Sequence, residues 1–302
     1  MKKVLPKRTR KIDIIIQGGL YPGTIRTAEF YTSHHLVSKV VVSTWETEDI
    51  EQKDITNDDI ILLKNKYPDY IGPGNLNLHL LSSKNGLDHC TNEVVLKIRS
   101  DECMSYDGIS TWIDYFNRHD NGKTLDYLDG TKQRSKICVI ATNINFPYHP
   151  QDHVFIGYQE DLRKLFHMPF SNEPPLMPEP IEFSTRTGHL RNPIYIGANY
   201  FALFYEESAY HLKNWELFLL DDSPKREEAK QFYLEHRNSI FRPLPVIDMW
   251  WEKFNSEYWW QGYARGGDMY AEEYYTSSND PDSLMPPQEA IKLLQKEIKN
   301  EI

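Results

Sequence analysis

Residues 93–102 read EVVLKIRSDE, a run with Val, Leu and Ile on both sides of a period-two alternation that ends in two adjacent acids. A strand covered on both faces reads as a nearly continuous apolar run, whereas a sheet wet on one face alternates apolar with polar. Three more runs share this character: Ile12–Ile16 (IDIII), Lys39–Thr44 (KVVVST) and Lys136–Ala141 (KICVIA). Helix-like segments separate them. Gly18, Gly19 and Gly23 supply a loop before a helix over Thr24–Leu36, and residues 57–66 read as a second helix. Pro68–Gly74 is a turn-rich loop, and Asn75–Leu87 reads as a helix that stops at Gly86. Buried strands alternating with helices predict an α/β fold, a mostly parallel sheet flanked by helices.

After about residue 170 the composition changes. Ser171–Pro180 (SNEPPLMPEP) holds four prolines in ten residues, which no regular element accommodates. That loop divides the chain into an α/β unit over residues 1–170 and a C-terminal lobe over 171–302, with their continuity left open. The lobe reads as helical and aromatic-rich. It carries a helix near 199–214, a charged helix near 224–238, a Trp/Tyr-rich region from Met249 to Tyr275, and a last helix opened by Ser283 and two prolines.

The whole chain has 302 residues, 40% of them apolar or aromatic and 26% charged, as in ordinary globular proteins. No apolar run approaches the roughly 18 residues of a membrane span, so no transmembrane segment is expected. A formal net charge of −10 disfavours nucleic acid as a partner. Cys90, Cys103 and Cys138 follow no CxxC pattern, which predicts reduced thiols in a cytoplasmic protein, either free or peripheral to a membrane. Six basic residues (Lys2, Lys3, Lys7, Arg8, Arg10, Lys11) precede an apolar stretch too short for a secretory signal, so they read as a solvated tail.

In a parallel α/β sheet ligands bind beyond the carboxyl ends of the strands. Gln17-Gly18-Gly19 follows the first strand, Trp45-Glu46 the second and Asp101-Glu102 the third. The spacing Gly18-Gly19-x-x-x-Gly23 is not the G-x-G-x-x-G fingerprint, which speaks against nicotinamide and flavin enzymes. A close backbone approach to a base or phosphate and a plain tight turn both remain open for it. Strand alternation sets Lys97, Arg99 and Asp101 on one face. Two cations leading to a carboxylate suit a pyrophosphate ligand held with Mg²⁺ or Mn²⁺, and an internal salt-bridge ladder is the alternative. The eleven histidines show no metal-ligand spacing, and no G-x-S-x-G elbow is present.

Taken in order, Ile14-Ile15-Ile16-Gln17-Gly18, Val41–Glu46 (VVSTWE), Asn75-x-Asn77 opening a helix that ends Lys84-Asn85-Gly86-Leu87, and Leu96–Asp101 (LKIRSD) resemble the WavE lipopolysaccharide-synthesis family. The resemblance covers about the first 105 residues and continues weakly through Asp152–Phe166. It implies a glycosyltransferase with a GT-A-like nucleotide-sugar fold. Its Asp-X-Asp position falls on Ser100-Asp101-Glu102, where the acids are adjacent instead of two apart. By the same resemblance Gln17 and Gly18 line the base pocket, Thr44, Trp45 and Glu46 the nucleoside, and Asn75 and Asn77 the donor sugar or diphosphate. Arg26, Lys97 and Arg99 complete the donor site, and Asp101 or Glu102 holds Mn²⁺ or Mg²⁺. An inverting transfer also needs a carboxylate base after the metal motif. Asp152 is the first choice, because it follows the fourth strand beyond Pro147 and Pro150, with a turn or helix cap as its alternative.

These readings converge on an enzyme that moves a sugar from a nucleoside diphosphate sugar to a glycan or lipid-linked oligosaccharide acceptor. Trp250, Trp251, Trp259 and Trp260 are either core residues or an acceptor platform. Two rivals remain: a sugar-phosphate nucleotidyltransferase, and a catalytically silent glycan-binding protein that uses the tryptophans.

Overall fold

The computed structural model describes residues 10–120, 124–143, 146–171, 181–212, 224–243, 247–252, 259–264, 267–269 and 284–285. Lys2, Lys3, Lys7 and Arg8 of the basic tail fall outside these residues, as does the last helix apart from Leu284 and Met285.

β1 (Ile12–Gln17) is buried along its length. Ile14 and Ile16 enter one apolar cluster and Ile15 another, so both faces are covered, as its sequence requires. α1 (Thr24–Thr32) connects it to β2 (Val37–Trp45), its parallel neighbour. β3 (Ile60–Asn65) pairs in parallel with β2 from Val40↔Ile60 to Trp45↔Asn65. The helix expected over residues 57–66 is therefore a strand over Ile60–Asn65, led in by a turn. An apolar run this short fits either period, and pairing along the edge of β2 satisfies its backbone.

α2 (Leu76–Asp88) returns the chain to β4 (Val94–Arg99), the other parallel neighbour of β1. β5 (Glu102–Met104) and α3 (Tyr106–His119) follow. The helix is an addition to the expected elements. Its Ser105 cap accepts the Gly108 N–H at 3.0 Å, and Ile109, Trp112, Ile113 and Phe116 form a buried stripe at helical spacing.

β6 (Ile137–Val139) and β7 (Ala141–Asn143) replace the single strand expected over Lys136–Ala141. β8 (Phe155–Tyr158), followed by α4 (Gln159–Phe166), runs antiparallel to both β4 and β6. α5 (Ile181–Ala202) and α6 (Glu206–Leu212) divide the helix expected near 199–214. The break lies where Leu203 O accepts the Leu128 N–H at 2.8 Å. Within α5, a Cβ on Gly197 would stand 1.9 Å from the Tyr148 carbonyl oxygen, so no other residue fits this approach. α7 (Pro224–Ile240) runs straight into β9 (Phe241–Pro243), which pairs in parallel with β6.

The main sheet has the order β3-β2-β1-β4-β8-β6-β9 and is mostly parallel, with helices on both faces. Beyond it, β10 (Ile247–Glu252) and β11 (Trp259–Ala264) pair antiparallel; β12 (Gly267–Met269) pairs with β7, and β13 (Leu284–Met285) with β11. β10 also pairs with β5, which sets Trp251 opposite Glu102 on one side and Trp260 on the other.

Parallel register then brings the strand ends together. Gln17 stands opposite both Ser43 and Arg99, and Trp45 opposite Asn65. Every candidate donor residue on these strands reaches the same carboxyl edge except Lys97, which lies two residues inside it.

Candidate functional site

At the end of β1, Gly18 has φ +129°, and a Cβ there would stand 2.6 Å from Ser100 Oγ. Only glycine allows this turn to lie against the turn after β4. Thr24 Oγ1, at the start of α1, donates to Ser100 O at 3.0 Å, so the first turn of that helix sits beside the end of β4. Gln17 is buried, and Arg26 is exposed on the first turn of α1.

Trp45 is buried with its ring stacked on Tyr67, at 4.8 Å between centroids and 30° between planes. Tyr67 is 39% exposed and makes the outer half of the pair. Thr44 is buried, and its Oγ1 finds no hydrogen-bond partner among the described residues. Glu46 is exposed and uses its N–H to hold Asn65 O at 2.9 Å. Glu48, absent from the sequence expectation, accepts the Leu20 N–H at 3.0 Å and steadies the glycine turn.

Asn75 is exposed in a left-handed conformation at the start of α2. Asn77 is buried, donating to Tyr70 O and Ser171 O and accepting the Ser171 N–H at 2.8–2.9 Å. Its amide therefore ties α2 to the chain at Ser171.

Lys97 is fully buried. Its Nζ donates to the Asp152 backbone carbonyl at 2.7 Å and lies 5.5 Å and 5.9 Å from the ring centroids of Phe155 and Phe166. Burial lowers the Lys97 ammonium to about 8, against the pull of Asp152 and Glu102. It clamps the Asp152 loop from below.

Arg99 behaves differently. Its Nε and Nη2 hold the two Asp101 oxygens at 2.9 Å and 2.5 Å in a bidentate fork. Burial works against the guanidinium charge, but Asp101 and Glu102 outweigh it and keep its pKa well above the usual range. The side chain is 35% exposed, and Nη1 has no partner among the described residues. Glu102 is buried on the other side, with Oε1 on His153 Nδ1 and 3.8 Å from Arg99 Nε.

Asp152 Oδ2 stands 3.5 Å from His79 Nδ1. Burial would raise its carboxyl pKa, but the His79 bond and the charges of His153 and Arg99 hold it well below the usual range. His79 and His153 were not anticipated as site residues. His79 lies in the first turn of α2 with no spacing signal, and His153 gains meaning only through Glu102.

A profile of the WavE lipopolysaccharide synthesis family matches residues 12–232. The chain belongs to that family. No curated protein matches it significantly. Among solved structures, residues 1–349 of S. aureus TarS are similar at 12% identity and a TM-score of 0.38, over 74% of this chain and 69% of that one. The 4-diphosphocytidyl-2C-methyl-D-erythritol synthase of Anaerococcus prevotii gives 10% and 0.37, over 56% and 80%. HddC from Yersinia pseudotuberculosis gives 12% and 0.32, over 56% and 86%.

The metal expected at Asp101 and Glu102 of this WavE chain fits the residues poorly. Both Asp101 oxygens already accept from a guanidinium, and Glu102 Oε1 lies on His153 Nδ1. A divalent cation there would have to displace Arg99 or sit against its charge. Among the described residues, the three donors that do lie within metal-ligand reach of one another are Glu207, His211 and Glu228, on α6 and α7. No helix among the described residues is long and apolar enough to cross a membrane.

Proposed function

We propose that this protein is a glycosyltransferase that moves a sugar from a nucleoside diphosphate sugar to a glycan or lipid-linked acceptor, in lipopolysaccharide-type or other surface polysaccharide synthesis. Membership of the WavE family supports the glycan pathway. The observation that carries the transfer itself is Arg99, a cation fixed by Asp101 through Nε and Nη2 with its Nη1 amino group to spare, next to the glycine turn and the start of α1. A guanidinium and a helix N-terminus together favour the two phosphates of such a donor.

In the reaction the bond between the sugar anomeric carbon and the diphosphate oxygen breaks, and its electron pair leaves with the diphosphate. Arg99 Nη1 stabilises that growing charge. The acceptor oxygen bonds to the anomeric carbon, and its proton passes to Asp152. The Trp45–Tyr67 pair offers an aromatic face for the base. β10 runs beside Glu102, which favours the acceptor side for the tryptophan strands.

The test is a panel of nucleotide sugars incubated with glycan acceptors, with and without Mn²⁺, measuring release of free nucleoside diphosphate. Acceptor-dependent release from one donor is expected. Silence across the panel would overturn the reading in favour of a glycan-binding protein. Release of pyrophosphate from a sugar 1-phosphate and a nucleoside triphosphate would overturn it in favour of nucleotidyl transfer.

A further inference from the structure

His79 is 6% exposed, and its ring stacks on Phe166 at 5.7 Å and 25°. Its Nε2 has no hydrogen-bond partner among the described residues. A buried, unpaired ring nitrogen is costly, and a phenylalanine would fill the same space on Phe166 without it. The cost makes sense only through the other nitrogen, which faces Asp152 Oδ2.

Burial, together with the nearby Lys97 charge, lowers His79 to about 4, so the ring is neutral and carries one proton. Opposite an ionised Asp152, that proton belongs on Nδ1, a tautomer assigned from the network. The charged and titratable groups around Asp152 are then His79 from α2, Lys97 and Arg99 from β4, and His153 from its own loop. Lys97 holds the backbone carbonyl and His79 holds Oδ2. Asp152 Oδ1 is left without a donor among the described residues, on a side chain that is 13% exposed.

We propose that His79 is a positioning residue, which fixes the Asp152 carboxylate by one oxygen so that the other meets the acceptor hydroxyl. This rests on the glycosyltransferase reading with Asp152 as base. It assigns His79 no contact with substrate.

The experiment compares His79→Phe, His79→Asn and Asp152→Asn. The phenylalanine variant keeps the stacking and sets the loss of the Asp152 contact against removal of the unpaired nitrogen, so it should melt near the wild-type temperature. Its kcat for transfer should fall about 30-fold while the donor KM stays within about twofold, because only the transition state uses the base. His79→Asn, whose amide nitrogen can take the place of Nδ1, should recover most of that loss. Asp152→Asn should lose more, and the double variant with His79→Phe should lose no more than Asp152→Asn alone.

A wild-type kcat in His79→Phe would overturn the proposal. So would a loss that tracks a lowered melting temperature and is not recovered by asparagine. If Asp152→Asn transfers normally, the base assignment falls and the proposal falls with it. If the wild-type enzyme transfers no sugar, the functional reading has failed. In that case the Asp152 carboxyl titration, followed by ¹³C NMR, still reports on the contact: it should rise in His79→Phe and return in His79→Asn, and an unchanged titration overturns the contact itself.

Discussion

Asp152 and Asp161 lie nine positions apart, and both carboxylates are shielded from water, yet the protein treats them in opposite ways. Asp161, in the first turn of α4, accepts the backbone N–H groups of Arg134 and Ser135 and the Tyr127 hydroxyl at 2.9–3.1 Å. Its donors are mostly main chain and cannot move away, so the carboxylate serves as a knot that ties the 134–135 turn to the helix. Asp152 faces a histidine imidazole, with a lysine on its backbone carbonyl and one oxygen left over. A carboxylate saturated by fixed donors is spent on the fold. One held by titratable side chains, with an oxygen to spare, can still do chemistry.

That contrast breaks if the two kinds of site respond alike to substitution. The largest effect is expected at the knot. Asp161→Ala strands the Arg134 and Ser135 N–H groups, leaves the Tyr127 hydroxyl to Tyr200 alone, and should cost about 3 kcal/mol of stability in urea denaturation, while transfer per folded molecule stays near wild type. Asp101→Asn should do the reverse. Loosening the fork that aims Arg99 should lower turnover by about 100-fold with the urea midpoint nearly unchanged, and a normal rate would remove the Arg99–Asp101 pair from the mechanism.

A smaller effect sharpens the assignment of the cations. Nucleoside diphosphate should raise the melting temperature in a concentration-dependent way. Arg99→Ala should weaken its binding by about 10-fold, the worth of one charge-assisted contact. Lys97→Met, which removes a buried clamp and no ligand contact, should change stability far more than nucleotide affinity. Equal affinity losses in the two variants would mean that Lys97 reaches the ligand after all.

The smallest effect contrasts two buried histidines. His34 accepts the Leu36 N–H on Nδ1 at 3.2 Å and pairs Nε2 with Ser110 Oγ at 3.0 Å, so both ring nitrogens are used, unlike those of His79. Burial, with the neighbouring His35 charge, lowers His34 to about 4. The unfolded chain, with an ordinary histidine near 6.5, therefore binds more protons between these values. Stability is full above pH 6.5 and is lost as the pH falls toward 4. Between pH 6.5 and 5.5 each of these histidines should contribute about 1 kcal/mol of loss. His34→Gln should remove its share of the slope in pH-dependent denaturation without changing kcat, whereas His79→Phe should remove its share and lower kcat.

Much of the fold was legible because Val and Ile on both faces of a strand have few alternatives to a covered parallel sheet. Residues 57–66 were not, since Ile60-Ile61-Leu62-Leu63 fits a strand or a helix until an edge of β2 is there to receive it. Nor was the reversed direction of β8, which depends on β4 and β6 lying on either side of it.

The site divides along the same line. The sequence marked Arg99 and Asp101 as neighbours two residues apart, and although β4 ends at Arg99, the turn at Ser100-Asp101 closes the fork between them locally. Sequence position likewise put Gly18 at the end of the first strand, where the backbone had to turn. What became of Lys97, Asn77 and Asp152 was decided by packing. Lys97 shares its face with Arg99, but Phe155 and Phe166 cover it, while Asn77 is drawn onto Ser171. The partner of Asp152 lies 73 residues earlier, on α2, and no periodicity in a chain records which helix face will meet which loop. Local spacing determines which side chains share a face of one element. Which of them stay open to a ligand depends on what the rest of the chain lays over that face.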